Sequence, residues 1–386
     1  MWLRFISYFA PNKIFLAKIL DIIPYKILPA HIGGQKNIAL FCRYLGEVND
    51  LTTISVNDNE IKLAENYKMI PLFDKKRIRY INPFYVLSIK RIVKQNGIKN
   101  VITEHPYMAW MGWYLKKTAS IKWFVRSHNI EFERFRTLNK SWYKLLKIYE
   151  KWAYNKADIV FFITNEDIDF AVKHNMVKKE NAALLPFGVE LKEMPSDKSE
   201  QKKKICDQYN IAGNTTLLLF NGALDYPPNT DALSFILNAI NPSLLKNTSI
   251  NYRIIICGRG LPSSFNELKD FSNKNIIYAG FVDDVYAYFK AADIFLNPVV
   301  AGGGVKTKII EAMGYGATVI SCVSGAAGIE QSVCGEKIKV VPDNDAVAFT
   351  NEILKIKDHN NATPGAYYEY YSWENIIKRL QLLFIN

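Results

Sequence analysis

Ten short apolar runs, each four to seven residues long, recur along this chain with helix-length stretches between them. They fall at residues 3–7, 100–103, 122–125 and 158–164 in the front half. In the back half they fall at 216–220, 252–257, 275–280, 293–297, 318–322 and 337–341. Runs of this length, apolar on both faces, fit a parallel sheet covered by helices on both sides. At 386 residues the chain exceeds what one hydrophobic core serves, and the alternation continues through both halves. The expected fold class is therefore α/β, with two doubly wound Rossmann-like domains. The polar, charged stretch at residues 187–204 has no strand periodicity and marks the boundary.

The five cysteines are scattered, with no Cys-x-x-Cys pair to hold zinc or run redox chemistry, which fits a reducing, cytoplasmic compartment. No stretch approaches the ~20 uninterrupted apolar residues of a membrane-spanning helix. The apolar opening segment, residues 1–30, is broken by Pro11, Lys13, Lys18 and Asp21, and reads as mature structure. Net charge is +12, unevenly spread. Residues 1–188 carry 30 Lys and Arg against 16 Asp and Glu, whereas residues 189–386 carry 19 against 21. Such asymmetry points to an anionic partner on one side of the molecule. Without a recognisable binding module, it does not imply nucleic acid.

The segment "NPVVAGGGVKTKIIEAMGYGATVI" (297–320) carries the most specific chemistry. Read as strand, loop and helix, it places Gly302, Gly303 and Gly304 at the carboxyl end of a parallel sheet, where open α/β sheets bind ligands. Glycine lets the backbone approach a ligand closely, and the free N–H groups of a helix start carry partial positive charge, so the loop suits phosphate. Lys306 and Lys308 add full charges, and Glu311 lies about one turn further on, where it could accept hydrogen bonds from a ribose diol. A plain glycine turn with two solvated lysines and a weak Lys308–Glu311 pair is the competing reading.

The longer string "NPVVAGGGVKTKIIEAMGYGATVISCVSGAAGI" resembles the donor-binding signature of retaining glycosyltransferases of family 4. Four more fragments resemble that family in order and spacing: "LPFGVE" (185–190), "FNGALDYPPNTDAL" (220–233), "YAGFVDDVYAYFKAADIFLNP" (278–298) and "YSWENIIKRL" (371–380). The resemblance implies a GT-B fold, two domains facing across a cleft with a closing helix crossing back to the first. Residues 1–188 plus the closing helix, about 370–386, would bind acceptor, and residues 200–368 would bind the nucleotide-sugar. It implies a hexosyltransferase of the bacterial surface-polysaccharide type, with a UDP- or GDP-sugar as substrate and neither metal nor cofactor. Carried over by position, Gly222 lets the backbone pass the phosphates, Val282 reads the base through main-chain atoms, and Glu311 holds the ribose. Lys306 and Lys308 neutralise the diphosphate, because "DYPPN" stands where the family often has Arg and Lys. Many members carry a second glutamate where this chain has Gly303.

In the first domain, "HIGGQKNIALFCRYL" (31–45) resembles the family's glycine-pair loop, with Gly33 and Gly34 meeting the sugar diphosphate. His128 corresponds to the active-site histidine, with His105 in reserve; both follow predicted strands. A structural histidine bonded to a carbonyl is the alternative for each. Arg126, Asn129 and Glu131 either orient the acceptor or, with Asn129 as N-cap, simply start the next helix. Two segments join lysines to apolar residues. In 137–156, Lys140, Lys144, Lys147 and Lys151 share a helical stripe beside Trp142, Leu145, Tyr149 and Trp152. In the early loop, Lys13, Lys18 and Lys26 accompany Ile14, Phe15, Ile19, Leu20, Ile22 and Ile23. Together they predict peripheral attachment to an anionic membrane surface on the cytoplasmic face, and a glycan or glycolipid acceptor. The competing functions are a catalytically silent nucleotide- or membrane-binding assembly subunit and a nucleotide-sugar epimerase of the same fold.

Overall fold

The computed structural model describes residues 17–247, 249–356 and 361–385. The chain divides into two compact units, Met1–Pro186 with Ile376–Asn386, and Phe187–Asn375.

Among the described residues, the first unit holds seven parallel strands, β1 (Lys18–Ile22), β2 (Asp50–Val56), β3 (Lys68–Phe73), β4 (Asn100–Glu104), β5 (Lys122–Ser127), β6 (Ile159–Phe162) and β7 (Ala182–Leu184), in the order β3-β2-β1-β4-β5-β6-β7. The first strand among the described residues is Lys18–Ile22; the run at 3–7, expected to be a strand, lies outside them. Helices α1 (Gly33–Val48), α2 (Pro83–Asn96), α3 (Ala109–Ala119), α4 (Glu131–Thr137) and α5 (Tyr143–Lys156) follow in chain order. Alternation along the strands sorts the two faces. Val101, Trp123 and Val125 pack with Val86 and Ile89 of α2, Met111 and Leu115 of α3, and Leu146 of α5. Phe124 instead faces Phe384 of the last helix, Trp373–Ile385, with ring centroids 4.9 Å apart. That helix is tied to the sheet by Asn100 Nδ2 donating to the Phe384 carbonyl (2.9 Å) and Lys122 Nζ to the Leu383 carbonyl (3.1 Å).

Local signals explain where α2 starts and stops. Asn82 Oδ1 accepts from the Phe84 N–H at 3.0 Å, Pro83 occupies the first helical position, and Gly97 turns the chain out at φ 64°.

The second unit has six parallel strands, β8 (Thr216–Asn221), β9 (Tyr252–Cys257), β10 (Ile276–Gly280), β11 (Ile294–Asn297), β12 (Thr318–Cys322) and β13 (Ile338–Val341), ordered β10-β9-β8-β11-β12-β13. Strand order reverses between β1 and β4 in the first sheet and between β8 and β11 in the second. These are the switch points at which open α/β sheets take ligands.

Candidate active site

In the second unit the glycine loop joins β11 to the helix Thr307–Gly314. Gly302 and Gly304 sit at φ 86° and 76°, a region that penalises any side chain, so the loop's path needs glycine at both. A Cβ on Gly302 would also lie 2.9 Å from the Tyr226 hydroxyl. Lys306 precedes the helix and folds back, its Nζ donating to the carbonyls of Gly302 (2.6 Å) and Gly304 (3.2 Å). Lys308 reaches across to β8 and donates to the Asn221 carbonyl at 2.7 Å. A Cβ on Gly222 would meet that ammonium at 2.9 Å, so Gly222 and Lys308, far apart in sequence, share one point at the switch. Burial lowers the pKa of Lys308 to about 8, against the opposing pull of Glu311. Burial lowers Lys306 as well. The Gly222 N–H is spent on the Cys257 carbonyl (3.0 Å), so this glycine offers room rather than a donor. Val282 follows β10, beside the exposed Phe281.

In the first unit, Gly33 and Gly34 open α1 just beyond β1, and a Cβ on Gly34 would meet nothing within 4 Å. Gln35 Oε1 holds the turn by accepting from the N–H groups of His31 (2.9 Å) and Ile32 (3.3 Å). His105 and His128 follow β4 and β5 and stack with centroids 4.2 Å apart, inclined at 17°. His105 adopts φ 62° and ψ 165°, a conformation costly for a residue with a Cβ. The rings around it overdetermine that conformation. Its Nδ1 meets Glu131 Oε1 at 3.2 Å, its Nε2 meets the Tyr25 hydroxyl at 2.7 Å, and its ring stacks on Tyr107 at 5.2 Å.

His128 Nε2 is bound to Glu104 Oε2, and the other oxygen of Glu104 accepts from Arg126 Nη1 at 2.9 Å. Burial alone would raise Glu104, but Arg126 and His128 outweigh it and hold the carboxyl at about 2. Burial, then the neighbouring His105, lowers His128 to about 4, with Glu104 opposing. Glu131 is likewise held at about 2: burial raises it, and His105, Tyr107 and Arg134 prevail.

Three residues of this network, Glu104, Tyr25 and Tyr107, were not singled out in the sequence. Glu104 left a signal, a carboxylate closing an apolar run directly before a histidine; Tyr25 left none. Asn129 is not an N-cap: α4 starts after Ile130, which makes no side-chain cap, and Glu131 turns inward.

The sequence model for Glycosyl transferases group 1 matches residues 215–359, and that for Glycosyltransferase Family 4 matches residues 34–193. The chain is a glycosyltransferase, with a family 4 domain at residues 34–193. This glycosyltransferase is 26% identical over 248 residues to an uncharacterised 44.6 kDa protein in the cps region of Klebsiella pneumoniae, covering 60% of this chain and 58% of that protein. It is 23% identical to an uncharacterised glycosyltransferase of Methanocaldococcus jannaschii over 95% of this chain and 97% of the other. Among solved structures, it resembles sucrose-phosphate synthase from Thermosynechococcus elongatus (17% identity, TM-score 0.69, 95% of this chain and 98% of that one). HepE of Anabaena in complex with UDP matches at 14% identity and TM-score 0.69, over 95% and 99% of the two chains. WaaG, a glycosyltransferase involved in lipopolysaccharide biosynthesis, matches at 16% identity and TM-score 0.63, again over 95% and 99%. The expected fold class and the hexosyltransferase class of enzyme stand with these likenesses. Among the described residues, no helix is long and apolar enough to cross a membrane.

Proposed function

We propose that this enzyme is a retaining glycosyltransferase of cell-surface polysaccharide assembly. It moves a hexose from a UDP- or GDP-sugar to a hydroxyl of a lipid-linked glycan at an anionic membrane surface. Donor binds the second unit and acceptor the first. The observation that carries this reading is Lys308 reaching the end of β8 while Lys306 folds onto the Gly302–Gly304 loop that precedes the same helix. As the sugar–phosphate bond breaks, negative charge grows on the departing diphosphate. Lysine ammonium groups and helix-start N–H groups, already in place, stabilise that charge without having to reorganise. The sugar passes through an oxocarbenium-like state as the acceptor oxygen bonds to its anomeric carbon and gives its proton to the departing diphosphate. Glu311 takes the ribose and Val282 the base; in the first unit, Gly33 and Gly34 leave the start of α1 open to a phosphate group. His128, with His105 beside it, works on the acceptor side. The complexes of HepE with UDP and with UDP-glucose support a nucleotide-sugar donor and favour uridine.

Donor hydrolysis tests the reading, because a transferase without acceptor passes its sugar slowly to water. Release of UDP or GDP from the matching sugar nucleotide, reduced in Glu311→Gln, is the expected result. Nucleotide binding with no turnover in any donor would instead favour a silent assembly subunit.

A further inference from the structure

We infer that the first unit docks on an anionic bilayer through the α2–α3–α5 layer, at the edge of the sheet that carries His105 and His128. This rests on the proposed lipid-linked acceptor and assigns the surface that meets its membrane. The described part of the early segment does not supply that surface. Ile19, Leu20, Ile22 and Ile23 are fully buried, the first three in β1, while Lys13, Ile14 and Phe15 lie outside the described residues.

Two other apolar clusters are uncovered. At the start of α2, Ile81, Phe84 and Leu87 are 70%, 74% and 53% exposed, while Val86 and Ile89 of the same helix are in the core. At the start of α5, Trp142, Leu145 and Ile148 are 45%, 72% and 69% exposed, while Leu146 is in the core. Each helix thus has an apolar face for the core and a second one left to solvent, which an ordinary surface helix does not have.

Both clusters lie at the same edge. α2 leaves the carboxyl end of β3, and α5 runs back from the carboxyl end of β5 toward the start of β6, so their first turns flank the edge where β4 and β5 present the two histidines. Aromatic residues join them. Trp110 donates its indole N–H to the Tyr80 carbonyl (2.7 Å) and its backbone N–H to the Tyr149 hydroxyl (3.1 Å). Tyr80 meets Tyr107 edge-on at 6.1 Å, and Tyr107 stacks on His105. A chain anchored in lipid at either cluster would have a short route to His105.

Charge selects the occupant. Residues 75–79, before α2, and 134–149, at and before the start of α5, contain nine Lys and Arg; Lys75, Arg134 and Arg136 pair with Asp58, Glu131 and Glu133, which leaves an excess of six cations. A second copy seated face to face would set these cations against each other, because a two-fold interface pairs a patch with itself. An anionic leaflet complements them and accepts the apolar side chains as well.

Flotation of the full chain with phosphatidylcholine vesicles, with and without phosphatidylglycerol, tests the assignment. The parent should float with the anionic vesicles and lose binding in high salt. Phe84→Glu with Leu87→Glu, and separately Leu145→Glu with Ile148→Glu, should each lower the partition coefficient about tenfold or more. Val347→Glu, at an exposed apolar position in the second unit, should leave it unchanged. Unchanged flotation of both double variants, with melting temperatures near the parent's, overturns the assignment. So does a parent that sediments as an oligomer and becomes monomeric on substitution, which makes the face a protein interface. Nucleotide calorimetry on the same variants separates the two proposals. Intact UDP or GDP binding with lost flotation supports the surface, whereas an absence of nucleotide binding in the parent itself removes the transferase reading.

Discussion

His105 and His128 stack with their ring centroids 4.2 Å apart, yet each is bound to a different buried carboxylate, Glu131 for the first and Glu104 for the second. Burial, and then the second imidazole beside it, disfavour a charge on His128.

The stability of the protein should record this. Burial and His105 hold His128 at about 4 in the folded chain, against about 6.5 for an unperturbed histidine. Between those values the unfolded chain binds more protons. The contribution of a neutral His128 is therefore complete above about pH 6.5 and lost as the pH falls toward 4. Glu150, raised to about 7 chiefly by burial, titrates in the opposite sense over part of this window. The clean readout is therefore a difference from the parent. Relative to His128→Gln, the parent should lose roughly 2–3 kcal/mol of unfolding free energy between about pH 6.5 and 4. Denaturant melts at a series of pH values measure it, and a pH-independent difference would mean that His128 is not held neutral.

On the catalytic side, His128→Ala should cut turnover about a hundredfold or more while leaving nucleotide affinity unchanged, as expected for a group acting on the acceptor. Steady-state transfer with calorimetry in parallel separates the two quantities. Full activity in this variant moves the role to His105.

Lys308 gives the donor site a pH signature. With its ammonium held at about 8 by burial, the charge begins to disappear just above neutrality. Nucleotide affinity should therefore fall as the pH rises from about 7 to 9, and Lys308→Ala should abolish that slope while weakening binding by about 1–3 kcal/mol at neutral pH. Isothermal titration with UDP and GDP decides it; a parent slope retained in the variant would place the titrating group elsewhere.

The strands legible in the sequence were those made of uninterrupted apolar residues, such as "YRIIIC" and "TLLLF". Those missed carry polar residues that the fold satisfies. In β2, Ser55 donates to the Tyr25 carbonyl at 2.9 Å, and in β1 the buried Asp21 accepts from the Cys42 thiol at 3.5 Å. Pro71 sits in β3, an edge strand, where a missing N–H is tolerated. The glycine loop, its lysines and the two histidines could be found from local spacing. The partners of His105 could not, because Tyr25 and Glu131 reach its ring only after distant strands have paired. The amphipathic reading of 137–156 located an exposed basic helix, but its stripe was partly core: Tyr149 and Trp152 are half-buried, and the exposed partners are Leu145 and Ile148.

The final helix has a consequence for how the protein is made. Residues 376–386 belong to the unit whose other residues end at Pro186, and Phe384 packs on Phe124 and Phe161 of its sheet. On the ribosome, the second unit has been fully translated before the first can be finished. Until the codons for residues 376–386 are read, one aromatic face of the amino-terminal sheet waits uncovered, at the mercy of chaperones. An amino-terminal fragment ending at the boundary would never leave that nascent state.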